Sequence, residues 1–341
     1  MKAIRIHGAH DVRLEDVARP TPAPDESLIR IKATGICGTD VEIQDGTMAY
    51  FTRGMASYPV TPGHEWVGEI VTLGGEVTGF DVGDRVVGEC SVGCMKCKRC
   101  VSGNYHQCAV RTETGILNRD GSFAEFIVFP ALFLHKISKD IDIRAGAMVE
   151  PTAIALNGVK CAQVSPLDRI AIHGDGPIGL LILMVAKAYG AQHITLIGAT
   201  PSRLEMGKSL GADVVIDAAK EDVAKTLSKA GLPSVSIEAT GIPEAAATAL
   251  QTTTPGGRVV LQGLFGGRML NGFDLDHVVI NDLKVIGAIG SPNIWPDVIA
   301  LIEQGRIDPL AIVTHELGLS DFKDGLDLVT SREGIKVLLL Q

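Results

Sequence analysis

The sequence predicts a two-domain α/β protein: a doubly wound parallel sheet preceded by an antiparallel β lobe. Three observations carry that reading. From about Pro166 onward, apolar runs rich in Ile and Val alternate with helix-like stretches. The first 150 residues read instead as short strands punctuated by Gly and Pro, with no long helix between them. A length of 341 residues exceeds one ordinary domain, and 46% hydrophobic content supplies a large core.

In the N-terminal lobe the expected strands are KAIRIHG, DVRLEDV, SLIRIKATGI, EWVGEIVTLG, DRVVGE and FAEFIVF, forming an antiparallel barrel or sandwich. Gly74-Gly75 and the run from Asp81 to Asp84 mark turns between them. In the second domain RIAIHG, HITLIGA, DVVIDA, VSIEAT, RVVLQG and LKVIGAIG read as parallel strands covered on both faces. PSRLEMGKSLGA and IPEAAATALQTT are the helices between some of them. Beyond Ser291, helices over Pro296–Gln304 and Asp321–Ser331 lead to a last strand, VLLL. The expected division is 1–150, 151–290, and a segment 291–341 that returns to or packs against the first domain.

Charge and hydropathy exclude several classes. With 31 Lys and Arg against 40 Asp and Glu, the net charge of −9 argues against a nucleic-acid partner. The N-terminus has no signal-peptide pattern. The longest apolar run, Pro177–Ala186, is about half of the roughly 20 residues that cross a bilayer. A cytoplasmic protein without a membrane partner is expected.

Five of the seven cysteines fall between Cys90 and Cys108, a clustering that suits a metal site better than a disulfide framework. Cys94, Cys97, Cys100 and Cys108 are spaced C-x2-C-x2-C-x7-C, a lobe of about residues 90–110. Four thiolates close a tetrahedral zinc shell with no open position, which makes the site structural. An iron–sulfur cluster is the softer alternative; the fourth gap and the flanking Lys and Arg suit zinc better.

Gly174-Asp175-Gly176-Pro177-Ile178-Gly179 ends one strand and opens an apolar helix, as a dinucleotide site requires. Gly174 permits the tight turn, Gly176 lets backbone approach a pyrophosphate, and Gly179 allows close helix packing. An NAD site usually carries an acidic residue at the end of the next strand. Here that place holds Gly198, followed by Thr200, Ser202 and Arg203, which can donate to a 2′-phosphate. This leans the cofactor toward NADP within NAD(P).

Gly35-Ile36-Cys37-Gly38-Thr39-Asp40 and Pro62-Gly63-His64-Glu65 add a thiolate, an imidazole and a carboxylate. With GICGTD, PGHEWVG, DVGDRVVGE, the cysteine lobe, VEPTAIAL and GDGPIG together, the chain resembles the zinc-dependent medium-chain dehydrogenase/reductase family of alcohol dehydrogenase type. It is most similar to the branch of sorbitol (polyol) and threonine dehydrogenases. The resemblance implies a GroES-like catalytic β-barrel and a Rossmann domain. It also implies two zinc ions per chain, the catalytic one held by Cys37 and His64 with Glu65 or Glu150 as third ligand. Thr39 matches a hydroxyl beside the substrate oxygen. Glu42 stands where a relay histidine is often found, and Asn157 likewise replaces a common His.

The implied reaction moves a hydride between a secondary alcohol of a polyol and NAD(P), reversibly. Amino-alcohol oxidation of the threonine dehydrogenase kind, or a non-catalytic zinc- and nucleotide-binding sensor, is the alternative. Tyr50, Phe51, Arg53 and Trp295 are candidate substrate-wall residues. His173 and Cys161 read as packing residues and Cys90 as a spare thiol. The strand LKVIGAIG is expected to pair across a two-fold axis in a homodimer or homotetramer.

Overall fold

The long strand Glu26–Ile36 buries eight of its eleven residues, which places it at the centre of a sheet rather than at an edge. In the computed structural model, which describes Met1–Gln341, it pairs antiparallel with Glu65–Leu73. On its other side it pairs with Phe126–Pro130 and with the last strand, Lys336–Leu340. Arg85–Gly88 and Leu134–Lys136 extend this seven-stranded sheet at one end, and Val313–Gly318 extends it at the other. Trp66 and Phe129 meet edge to face at 5.2 Å in one apolar cluster. Ile4, Ile6, Ile36, Ile43, Phe123 and Phe322 fill a second cluster.

Residues Met1–Glu150 and Gly290–Gln341 form one unit, and Pro151–Ile289 a second. The C-terminal segment therefore belongs to the first unit. Its helices, Trp295–Glu303 and Phe322–Thr330, lead to a final strand that begins at Lys336, one residue before the VLLL expectation.

The second unit is a six-stranded sheet, parallel throughout. Its order is Val214–Asp217, His193–Gly198, Arg169–His173, Val235–Glu238, Arg258–Leu261, Lys284–Gly287. The chain starts in the middle at Arg169–His173 and reverses direction between that strand and Val235–Glu238, the topological switch point where such sheets bind ligands. Helix Pro177–Ala188 buries Gly179 through Ala186 without a break, which explains its near-continuous apolar sequence. One helix was not anticipated: Val223–Ala230, capped by the Asp222 side chain accepting from Lys225 N–H at 3.0 Å. Only Leu227 of it is fully buried, so it does not stand out as an apolar run in the sequence. No helix is long and apolar enough to cross a membrane.

His173, at the end of the central strand, is buried, and its Nε2 has no hydrogen-bond partner. Its register partner on the neighbouring strand is Glu238, whose Oε2 is likewise unpartnered. Burial lowers the His173 pKa from 6.5 to about 4. A histidine depressed on folding contributes stability that is complete above pH 6.5 and lost as pH falls toward 4. The span of about 2.5 pH units corresponds to about 3 kcal/mol. His173→Leu is therefore expected to flatten the fall in urea-unfolding free energy between pH 6.5 and 4. An unchanged slope would refute this.

Candidate active site and metal centres

The motif GICGTD ends the central strand and opens the short helix Gly38–Gln44. Asp40, wholly buried, accepts from Cys37 N–H at 2.8 Å and from Gly63 N–H at 3.2 Å. Gly63 has φ +97°, a conformation open to glycine, and it turns the PGHE segment so that its N–H faces Asp40. His64 Nδ1 lies 3.9 Å from Asp40 Oδ1. This acid, embedded in a quoted motif but given no role from sequence, ties the two ligand-bearing segments together.

Cys37, His64 and Glu65 bring their ligand atoms within 4.8 Å of one another. Glu150, buried on the first turn of helix Val149–Cys161, falls outside that group. Burial pushes its carboxyl up to about 7; His64 and Lys336 pull it down, while Glu65 and Asp40 push it up. Burial would lower the His64 pKa, but the Cys37 thiolate, Asp40 and Glu150 outweigh it and hold the ring well above 6.5. A buried pocket that draws a positive charge so strongly, with sulfur, nitrogen and oxygen donors facing each other, fits a zinc ion with three protein ligands.

Sequence reasoning missed Lys336. Its buried ammonium donates to both Glu65 oxygens at 2.7 Å and to Ile36 C=O at 3.3 Å. Thr39 is half-buried beside Cys37, and its hydroxyl makes no hydrogen bond to the protein. Glu42 is exposed on the same helix and does not join the cluster, so the structure gives it no place among the gathered groups.

The four thiols Cys94, Cys97, Cys100 and Cys108 also converge. Their sulfurs lie 3.9 Å apart for Cys94–Cys100, 3.5 Å for Cys97–Cys100 and 3.9 Å for Cys97–Cys108. A tetrahedron with zinc–sulfur bonds of about 2.3 Å has edges of about 3.8 Å, whereas a disulfide is about 2.05 Å. All seven cysteines are free. Backbone N–H groups of Lys96 and Cys97 point at Cys94 and lower its pKa to about 6, favouring the thiolate that a metal needs. The donor set is that of a closed structural zinc site.

Of the wall candidates, Tyr50 joins a polar cluster. Its hydroxyl donates to Glu113 Oε1 at 3.3 Å and accepts from Arg111 at 2.9 Å, while Arg111 Nε donates to Glu113 at 2.7 Å. Burial raises the thiol pKa of the half-buried Cys90 first, and Glu150, Glu113, Cys37 and Asp40 raise it further. Phe51 packs on Tyr58 at 4.5 Å, and Arg53 is exposed. Trp295 is instead a core residue, 1% exposed, stacked on His135 and bonded to Ser291. Cys161 donates to Asn157 Oδ1 at 3.6 Å.

In the second unit the glycine turn has the features a pyrophosphate needs. Gly174 has φ +131°, and a Cβ on Gly179 would lie 1.9 Å from Gly174 O. A Cβ on Gly176 would meet open space, so backbone is open to approach at the start of the helix that Pro177 and Ile178 begin. At the next strand's end Gly198 is buried, Thr200 half-buried and Ser202 exposed. Arg203 is 8% exposed, buried rather than solvated.

Comparison with known proteins places this geometry. Residues 23–139 match the alcohol dehydrogenase GroES-like domain, and residues 177–304 match the zinc-binding dehydrogenase domain. The erythritol/L-threitol dehydrogenase of Mycolicibacterium smegmatis is 37% identical, over 100% of this chain and 97% of its own length. A zinc-binding dehydrogenase of Sinorhizobium meliloti, solved with NADP, superposes with a TM-score of 0.94 at 27% identity, covering 100% of this chain and 99% of that one. An alcohol dehydrogenase of Escherichia coli, solved with NADH, gives 0.94 at 28% identity with the same coverage.

Proposed function

The chain belongs to the zinc-dependent dehydrogenase family of alcohol dehydrogenase type, and from that premise we propose that it is a polyol dehydrogenase. It transfers a hydride between a secondary alcohol of a polyhydroxy compound and a nicotinamide dinucleotide. The observation that carries the reading is a buried cluster of three donors, Cys37, His64 and Glu65, rather than four. Three protein ligands leave one position for substrate. The neighbouring Tyr50, Arg111 and Glu113 offer hydroxyl, guanidinium and carboxylate groups suited to further substrate hydroxyls.

Cys37, His64 and Glu65 would hold the catalytic zinc, which when bound would supply a Lewis acid for the alcohol oxygen. A bound nicotinamide dinucleotide would supply the hydride acceptor. Thr39 Oγ1 would accept the alcohol proton as it releases its own hydroxyl proton to solvent. Asp40 fixes the Cys37 and Gly63 backbone and thereby the spacing of the ligands. Lys336 holds the Glu65 carboxylate, and Glu150 supplies a further buried carboxylate whose charge acts on His64. A second zinc in the four-cysteine lobe is structural.

The proposed test is oxidation of a panel of tetritols, pentitols, hexitols, simple secondary alcohols and amino alcohols by protein carrying two zinc ions. Polyols are expected to be the best substrates. No turnover of any alcohol despite full zinc and bound dinucleotide would sink the reading in favour of a binding protein. Preference for amino alcohols would favour the threonine-dehydrogenase-like alternative. As to cofactor, one solved neighbour holds NADP and another NADH, so the neighbours do not choose between them. The Gly198 to Arg203 composition leans to NADP.

The free thiols suit the reducing cytoplasm. The partner proposed is a second copy of this chain. Lys284–Gly287 is the edge strand of its sheet, and beside it Leu275, Val279 and Ile280 are 74%, 77% and 80% exposed. An unpaired edge flanked by apolar residues is an interface waiting for its mate. Ile280→Glu is expected to convert a dimer or tetramer to a smaller species by light scattering. A wild-type monomer would overturn this.

A further inference from the structure

We propose that Asp175, inside the glycine turn, makes the dinucleotide site selective for NAD over NADP. This rests on the second unit being a dinucleotide domain, and it reverses the leaning that composition alone gives.

The acidic residue that usually reads the ribose 2′-hydroxyl stands at the end of the second strand. That place is Gly198, which has no side chain to offer. Asp175 reaches across from the neighbouring strand's turn instead. Its Oδ2 accepts from Ala199 N–H at 2.9 Å and from Thr200 N–H at 2.7 Å. The two sites are sterically exclusive: a Cβ on residue 198 would come 2.4 Å from the Cβ, Cγ and Oδ2 of Asp175. The missing side chain at 198 is therefore the condition under which the Asp175 carboxylate occupies this corner.

Two consequences follow for a bound ribose. The amides of Ala199 and Thr200 lead into helix Pro201–Ser209 and are natural donors to a 2′-phosphate, and Asp175 already engages both. A phosphate arriving there would also meet a carboxylate of its own sign at close range. Asp175 Oδ1, by contrast, accepts nothing from the protein and is a ready acceptor for a 2′-hydroxyl. Arg203, the cation that composition suggested for the phosphate, is buried, at 8% exposure. Like-charge repulsion at such separations, without a compensating cation, is worth on the order of 100-fold in affinity.

Binding titrations on the zinc-loaded full-length protein, read by nicotinamide fluorescence and calorimetry, test this without turnover. NADH is expected to bind about 100-fold more tightly than NADPH, and 5′-AMP more tightly than adenosine 2′,5′-bisphosphate. Asp175→Ala should weaken NADH, tighten NADPH by about 10-fold or more, and bring the two within about 10-fold of each other. Gly198→Ala, which displaces the carboxylate without removing it, should move the ratio in the same direction. Wild-type protein that binds NADPH as tightly as NADH overturns the assignment. So does an Asp175→Ala protein that loses both cofactors equally. If neither dinucleotide binds wild-type protein, the cofactor reading itself falls, and the assignment with it.

Discussion

Cys37→Ser is expected to leave the protein folded with one zinc ion in place of two, and to lower kcat/KM for polyol oxidation by roughly 10³-fold or more. The folding half of that expectation comes from the backbone. Cys37 N–H, not its sulfur, is what Asp40 holds at 2.8 Å, and a serine keeps that bond at the start of helix Gly38–Gln44. The chemical half comes from the donor set. Serine offers a protonated oxygen where the site has a thiolate, and zinc takes thiolate, imidazole and carboxylate. His64 and Glu65 alone are two ligands, too few for a retained catalytic ion. Metal analysis, thermal melting and steady-state kinetics on one preparation check all three parts. A Cys37→Ser protein that keeps two zinc ions and full activity would remove this cluster from catalysis. Cys100→Ser should behave oppositely. Because structural zinc sites can contribute about 10–16 kcal/mol of apparent binding energy, its loss should show first as unfolding of the lobe.

What could be read from sequence follows contact range. The four-cysteine lobe spans fifteen residues from Cys94 to Cys108, so its spacing alone specifies the convergence that the sulfur separations display. The parallel sheet was legible because burial on both faces makes each strand a plain apolar run, as at Ile170, Ala171 and Ile172. The amphipathic helix Val223–Ala230 was not, because it buries little. Side-chain direction was least accessible. Trp295 reads as a candidate wall residue, yet it is core, because its indole stacks on His135 from a distant strand. Asp175 sits at a variable position of the glycine motif, where no pattern assigns a role. Lys336 opens an apolar strand 271 residues from Glu65, and no local signal marks a lysine as buried.

That lysine carries the second large effect. Lys336→Met is expected to destabilise the protein by about 3–5 kcal/mol, since it leaves the Glu65 carboxylate without its ammonium in a site where both side chains are 2% exposed. Methionine fills similar volume, so the loss reports charge rather than a cavity. Burial would lower the Lys336 pKa, but Glu65 and then Cys37 outweigh it and raise it above 10.5. A lysine raised on folding contributes stability that is complete below 10.5 and lost only as pH climbs through its folded value. The Lys336→Met penalty should therefore be constant across neutral pH. Glu65→Gln alone should also be costly, because it strands the ammonium. The double variant should recover much of either loss, as expected when two buried charges are removed together. Urea unfolding of the four proteins, each carrying zinc only in the four-cysteine lobe, completes the cycle. A Lys336→Met penalty below about 1 kcal/mol, or two penalties that simply add, would show that the pair is not coupled in solution. If the coupling holds, the final strand does more than complete the sheet. It pairs with the central strand from Ala33 to Ile36, immediately before Cys37, and supplies the charge that fixes Glu65. The C-terminal segment is then a working part of the metal site.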